Sequence, residues 1–228
     1  MPVVINSGSG NQGITSSVPV IVCARATGRS HEELLRALAV ANLVTIHLKT
    51  GIGRLSAYCG AVSAGCGAAA GLAYLQGGDY DTVAHTVVNT VAMDSGIICD
   101  GAKASCAAKI AAAVDAGLLG LAMYRSGNQF FGGDGIVKKG VENTIANVGR
   151  LARLGMAQTD KQIIQLMTAV GQPYAYRAGT QGGSCVPAAC LRRDTFCRQF
   201  FCFASGGVQT PEISPSRAKH PLPHLRGR

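Results

Sequence analysis

Apolar residues recur at three- and four-residue spacing along the chain as far as about residue 168. The clearest run is Leu34, Leu35 and Leu38, which follows a capping box formed by Ser30 and Glu33. In a capping box the serine oxygen accepts a hydrogen bond from the third amide of the helix, and the glutamate bonds back to the serine amide. The pattern predicts six helices, at about residues 31–49, 56–75, 81–93, 103–124, 141–154 and 160–167.

The N-terminal segment has a different pattern. Residues 3–5 form a short β-type run that enters a glycine-rich turn, and the β-branched stretch 16–22 is interrupted by Pro19. Proline lacks the backbone donor of a helix interior, so this stretch is expected to be extended or irregular. Thr159 and Gln162 offer a second capping box, for the last helix. The expected fold is mainly α: a compact Ala- and Gly-rich helical domain with a short β segment and a Gly-rich loop at its N-terminus.

The last quarter of the chain differs from everything before it. From Gly171 onward lie six of the eight prolines, and no helical or alternating period is sustained. We therefore expect one helical domain at 1–168 and an irregular tail at 169–228, which is either disordered or non-native coding rather than a second domain. Four tail cysteines have spacings that match no standard zinc module. They are Cys185, Cys190, Cys197 and Cys202.

The positive charge is concentrated in the same tail. From Gly171 onward eight Lys or Arg stand against Asp194 and Glu212, which accounts for +6 of the net charge of +9. The rest of the chain lacks a basic face interleaved with aromatic residues. Nucleic acid is therefore not an expected partner.

Length and composition indicate one globular core. The chain has 228 residues, of which 47% are hydrophobic and 14% charged. Its first residues lack the basic and apolar regions of a secretory signal, so we expect a cytoplasmic location, where disulfides are rare. Residues 55–78 carry no charge and are long enough to cross a bilayer. Their Gly, Ala and Ser content favours a close-packed core helix instead, and no membrane partner is expected.

Two pairs of cysteines stand in Gly- and Ala-rich surroundings. Cys59 and Cys66 are seven residues apart, as are Cys99 and Cys106. Thiols in such a setting suit an iron–sulfur cluster, although the spacing is wider than in ferredoxin-type runs or zinc sites. The alternative is that each is a small hydrophobe in the core. Because the two spacings are equal, they leave open which three of the four would be ligands.

The glycine-rich loop at 8–13 matches the dinucleotide pattern G-x-G-x-x-G, and Glu33 follows twenty residues later. A dinucleotide loop leads directly into a helix, whereas 14–19 is β-branched and ends at a proline, so NAD is not expected. Glycine amides can instead surround a carboxylate, and the alternative is an ordinary polar turn. The candidate substrate-binding side chains are Asn6, Ser7, Ser9, Asn11 and Gln12.

Other residues carry less chemistry. Asp100 and Lys103 are expected to pair with each other or to tune a nearby cluster. The glycine loop at 130–135 is either a connector or a segment that closes over a site. No lysine is marked as a pyridoxal phosphate anchor. The isolated histidines, expected to be solvated or structurally bonded, are His31, His47 and His85.

Four segments together, at 6–13, 58–67, 96–106 and 155–161, resemble the L-cysteine desulfidase family, relatives of the iron–sulfur L-serine dehydratase alpha chain. The resemblance covers residues 2–168 and corresponds to the C-terminal half of that family's usual chain. It implies a truncated form that lacks the family's N-terminal half. That half carries a further cysteine implicated as a base. No catalytic residue is assigned within this sequence.

The resemblance also implies a ligand set and a reaction. Cys59, Cys99 and Cys106 would hold a 4Fe-4S cluster, with Cys99 in the turn before a helix and Cys106 one or two turns inside it, while Cys23 and Cys66 would be packing residues. The implied substrate is a small amino acid: L-cysteine and water would give pyruvate, ammonia and hydrogen sulfide by β-elimination. Two alternatives stay open, L-serine dehydration on the same ligands and a non-catalytic remnant of a disrupted gene. A homo-oligomer is also left open.

Overall fold

The computed structural model describes residues 3–168, and the predictions for the tail at 169–228 lie outside the described residues. The described part consists of seven α-helices and one π-helical turn, with no strand in it. The mainly α fold class is therefore confirmed. The elements are α1 (Gly10–Ala26), α2 (His31–Ile52), α3 (Gly60–Leu75), α4 (Tyr80–Asp94), α5 (Ser105–Arg125), α6 (Val141–Arg150), the π turn (Leu151–Gly155) and α7 (Ala157–Thr168).

Helix α3 is the centre of the fold. Fourteen of its 16 residues are buried, and α1, α2, α4 and α5 all pack against it. Its small residues let these helices approach closely: a Cβ at Gly65 would collide with the Ala113 carbonyl of α5, and one at Gly67 with the Ala41 carbonyl of α2. The uncharged stretch at 55–78 thus contains the central core helix.

Helix α1 corrects the prediction for the N-terminus. The stretch 16–22 is helical rather than extended, and α1 passes through Pro19. Burial of Val20 and Ala24 against α2 and α3 stabilises the helix by more than the missing proline amide costs. The predicted β segment at 3–5 is also wrong, because these residues are exposed and find no partner strand in the described part of the chain.

One of the two predicted capping boxes is present in the structure and the other is not. The capping box of Ser30 and Glu33 is present, with the serine oxygen accepting from the glutamate amide at 3.2 Å. The second predicted box, Thr159 with Gln162, is wrong because α7 already begins at Ala157. The preceding helix ends as a π turn, which shifts the start of α7 towards the N-terminus.

Helix α5 is buried along a narrow face. Only four of its 21 residues are buried, namely Ala113, Gly117, Gly120 and Leu121. Within residues 3–168 it is also the one helix long and apolar enough to cross a membrane by length and composition. That is weak evidence, since a core helix of a soluble protein passes the same test.

Candidate functional site

The loops that precede α3 and α5 pair through their backbones. The Cys59 amide donates to the Ile97 carbonyl at 3.1 Å, and the Cys99 amide donates to the Ala57 carbonyl at 2.6 Å. These bonds flank an antiparallel bridge. Alternate residues of an extended chain point the same way, so the pairing turns both cysteines to one side. Two thiols that are distant in sequence are thus brought together by main-chain bonds.

Cys106 joins them from the start of α5. It is the second residue of that helix, nearer its beginning than the resemblance implies, and its thiol donates to the Gly101 carbonyl at 3.5 Å. Cys59 occupies the N-cap position of α3. Two of the three cysteines therefore lie at helix N-termini, where backbone amides and the partial positive charge of the helix attract negatively charged groups.

The three cysteines line one cavity of about 250 Å³. The glycine-rich loop at the start of α1 lines the same cavity. Sites for drug-sized ligands have volumes of about 300–1,000 Å³, so this cavity suits a smaller molecule. Its charged lining residues are Lys49, Arg54 and Lys109, and no acidic residue lines it in the part of the chain that the structure describes.

The predicted substrate loop is only partly at the cavity. Ser9, Asn11 and Gln12 line it, and Ser9 caps α1 by accepting from the Gln12 amide at 3.3 Å. Asn6 and Ser7 are not among the lining residues. The side-chain amide of Asn6 instead donates to the side-chain oxygen of Asn42 in α2 at 2.8 Å, and the Ser7 hydroxyl donates to the side-chain oxygen of Asn6.

The loop also overturns one reason for setting aside a dinucleotide site. Helix α1 begins at Gly10, so the loop does lead directly into a helix. A dinucleotide site further requires a strand before the loop and a parallel sheet around it. Residues 3–168 contain no strand, so this part of the chain lacks the sheet in which that pattern binds a dinucleotide.

Burial controls the protonation of the thiols. It raises the pKa of Cys59, and the neighbouring Cys99 and Cys106 act in the same direction. A hydrogen bond from the Ala61 amide and the charge of Lys109 lower the same pKa. Deprotonation of Cys59 is therefore favoured by an additional positive charge, of the kind that a bound metal centre would supply.

The two lysines at the cavity differ in their partners. Lys109 forms an ion pair with Asp100, so the pair of Asp100 with Lys103, one of the two alternatives predicted from the sequence, is not formed. The hydrogen bond from Lys109 lowers the pKa of Asp100, and the same bond raises the pKa of Lys109. Lys49 has no ion-pair partner within residues 3–168, and burial lowers its pKa.

The remaining cysteines of the described part lie away from the cavity. Cys66 is fully buried in the core around α3, and burial raises the pKa of its thiol. Cys23 is half-buried on α1. All five cysteines within residues 3–168 are free thiols. Three of them thus share a cavity and two do not.

The donor chemistry of the cavity fits an iron–sulfur cluster. Such clusters are held by cysteine thiolates, each bound to a different iron, and Cys59, Cys99 and Cys106 all line this cavity. No three His, Cys, Asp or Glu side chains within residues 3–168 converge closely enough to hold a single ion. The charge of Lys109 favours the thiolate of Cys59.

Asp160 contacts the site and sequence reasoning missed its role. Its carboxylate accepts the amide of Ala57, the residue whose carbonyl in turn binds Cys99. Helix α7 also covers Gly101, where a Cβ would lie 2.8 Å from the Met167 side chain. The only sequence signal was the position of Asp160 within the segment 155–161 that carries the family resemblance.

Other candidate residues lie elsewhere. The glycine loop at 130–135 lines a separate cavity of about 240 Å³, away from the cysteines. His85 stacks on Tyr124, with ring centres 4.9 Å apart, beside an open depression of about 610 Å³. His47 bonds to Glu142 at 2.8 Å. Both of these histidines therefore make structural contacts.

Comparison with known proteins gives a consistent family match. The model of the serine dehydratase alpha chain matches residues 1–165. A UPF0597 protein of Desulfitobacterium hafniense is 65% identical over 167 residues, which cover 73% of this chain and 39% of the relative. UPF0597 proteins of Treponema denticola and Lachnoclostridium phytofermentans are 57% and 53% identical; the matches cover 73% of this chain in each case and 38% and 40% of the relatives.

The chain thus spans about two-fifths of the length of these curated relatives. No solved structure matches it.

Proposed function

Because the chain belongs to the serine dehydratase alpha chain family, we propose that its cavity is the iron–sulfur part of a lyase site acting on L-cysteine. The reaction is a β-elimination in which L-cysteine and water give pyruvate, ammonia and hydrogen sulfide. The observation that carries the proposal is the cavity that Cys59, Cys99 and Cys106 share with the glycine-rich loop. A reducing, cytoplasmic location suits an enzyme that depends on free thiols.

The residues that line the cavity would have two roles, holding the cluster and orienting the substrate. Cys59, Cys99 and Cys106 would hold the cluster, which when bound supplies a Lewis acid for the leaving group on the β-carbon. Ser9 and Asn11, at the first turn of α1, would orient the amino acid through their polar groups and adjacent amides. The enclosed shape of the cavity limits the substrate to a small molecule.

L-serine is the second candidate substrate. It is favoured by the description of the matching family model, which is that of a serine dehydratase chain. The same ligands would then assist loss of hydroxide instead of thiolate, and the products would be pyruvate and ammonia. Comparing pyruvate release from the two amino acids decides between them.

The first prediction concerns the ligands. The full chain, treated anaerobically with iron and sulfide, is expected to gain the broad visible absorption of thiolate-to-iron charge transfer. Cys59→Ser, Cys99→Ser and Cys106→Ser should each lose most of the bound iron, because the serine hydroxyl does not replace a thiolate. Visible spectra and iron analysis measure both effects.

Two cysteines provide matched controls for this experiment. Cys23→Ser and Cys66→Ala should retain the absorption band, because neither residue lines the cavity. A band that survives Cys59→Ser and disappears in Cys66→Ala would reassign the ligands. A folded wild-type chain that takes up no iron and sulfide would contradict the proposed function.

A further inference from the structure

We propose that Lys49 binds the carboxylate of the substrate amino acid. The inference rests on the proposed function for the class of ligand, and it concerns a residue outside the glycine-rich loop. Lys49 lies in the last turn of α2, is 4% exposed, and lines the cavity of the three cysteines. Within residues 3–168 its ammonium has no carboxylate partner.

The surroundings of the Lys49 ammonium favour a further anion. Burial of an ammonium is unfavourable unless an anion lies nearby. Negative charge at Cys99 and Cys59 offsets part of this cost, and no carboxylate within residues 3–168 adds to that offset. Lys109 lines the same cavity but is already paired with Asp100, and Arg54 is exposed to solvent. Lys49 is therefore the buried cation at this cavity that remains open to a carboxylate ligand.

The helix ends supply a second argument. Helices α1 and α3, of 17 and 16 residues, both begin at the cavity, where unpaired amides and partial positive charge attract anions. A Cβ at Gly60 would collide with the side chain of Gln12, so the loop at the start of α1 lies directly against the first turn of α3.

These features select a carboxylate. Its two oxygens can accept from an ammonium and from backbone amides at once. The lining of the cavity offers cations and amides but, within the described residues, no acidic side chain that would bind an amino group strongly. The carboxylate, rather than the amine, of the substrate should therefore provide most of the binding energy at this end of the cavity.

The test compares three ligands that share a hydroxyl group. The full chain is titrated calorimetrically with L-serine, with 3-hydroxypropionate, which lacks the amine, and with ethanolamine, which lacks the carboxylate. L-serine and 3-hydroxypropionate are expected to bind and ethanolamine is not. Lys49→Met should weaken the binding of both carboxylates by about ten- to a hundredfold, the effect of losing one charge-assisted hydrogen bond.

A matched control isolates the position of the charge. Arg36→Met removes one positive charge from an exposed site on the same helix and should leave the affinities unchanged. If Lys49→Met does not fold, the wild-type chain provides a second test of the inference. The rate at which acetic anhydride acetylates Lys49, measured by mass spectrometry, should be lowered by 3-hydroxypropionate and not by ethanolamine.

Several outcomes would overturn the inference. One is that Lys49→Met and the wild type bind the carboxylates with equal affinity. Another is that 3-hydroxypropionate does not change the rate of Lys49 acetylation. A third is that the wild type binds neither L-serine nor 3-hydroxypropionate. Loss of iron in Lys49→Met with carboxylate binding intact would also overturn it, by giving Lys49 a role in holding the cluster. The proposed lyase function is judged separately, by the cysteine variants and the products.

Discussion

At the scale of single residues, the charged side chains most affected by the fold are those that are buried without an oppositely charged or hydrogen-bonding partner. Lys49 is one example, at the cavity. Asp94 is another, at the C-terminal end of α4, where the helix dipole also disfavours a negative charge. One of its carboxylate oxygens is buried with no hydrogen-bond partner in the described part. Burial raises the pKa of Asp94 to about 6.

The stability of the protein should therefore depend on pH through Asp94. The folded state keeps a proton on this carboxyl up to about pH 6, whereas the unfolded chain releases it near the ordinary pKa of an aspartate, 3.8. Between these values the folded state binds more protons, so the free energy of unfolding contributed by Asp94 falls as pH rises. Asp94→Asn should remove this fall and be more stable than wild type at pH 7.

Urea unfolding at several pH values between 4 and 7 measures the effect. The carboxyls whose pKa is lowered, such as Glu33 and Asp79, are common to both proteins, so the difference between the two curves isolates Asp94. Parallel curves for the variant and the wild type would show that Asp94 does not titrate in this range.

At the scale of elements, α7 contributes to the site although none of its residues is buried. Its Asp160 carboxylate holds the amide of Ala57, and Ala57 is paired with Cys99. The helix therefore acts on the cysteines through the backbone that carries them. Asp160 is therefore a positioning residue for this loop.

Asp160→Ala should loosen the loop that carries Cys59. Loss of a hydrogen bond to a charged group costs about 1.5–3 kcal/mol of stability, and Cys59 should react faster with iodoacetamide. Asp160→Asn retains a carbonyl oxygen at the same place and should restore most of the protection. Mass spectrometry of the labelled chain gives the rates, and identical rates in the two variants and the wild type would refute the positioning role.

Features that depend on neighbouring residues could be predicted from the sequence, whereas features that depend on packing between helices could not. The Ser30 capping box was readable because all of its bonds lie within four residues. Helix α1 was missed because the penalty at Pro19 is local, whereas the burial that outweighs it comes from α2 and α3. The choice of the three cysteines that line the cavity came from a family resemblance, since equal spacings could not exclude Cys66. Lys49 was missed because helical periodicity shows which face is buried but not what that face meets.

At the scale of the whole molecule, the described part has cysteines and cations at one cavity but no assigned base. The curated relatives are more than twice as long as the matched region. A base within hydrogen-bond reach of the α-proton typically contributes about 10²–10⁴-fold to the rate. We therefore expect the base to come from the part of the family chain that this sequence does not match.

Co-expression tests this expectation. The chain alone should release little sulfide or pyruvate from L-cysteine, and co-expression with the unmatched part of the Desulfitobacterium hafniense relative should raise the rate about a hundredfold or more. The same co-expression with Cys99→Ser serves as the control and should yield no increase. Rapid product release by the chain alone would place the base among its own residues.

The pairing of the loops before α3 and α5 has a consequence for how such a site can change. Its two hydrogen bonds join main-chain atoms, and the side chains at positions 59 and 99 take no part in them. Other side chains can therefore replace Cys59 and Cys99 while the backbone scaffold beneath them stays intact. The chemistry of the side chains that line this cavity and the stability of its fold are, to that extent, separately adjustable properties.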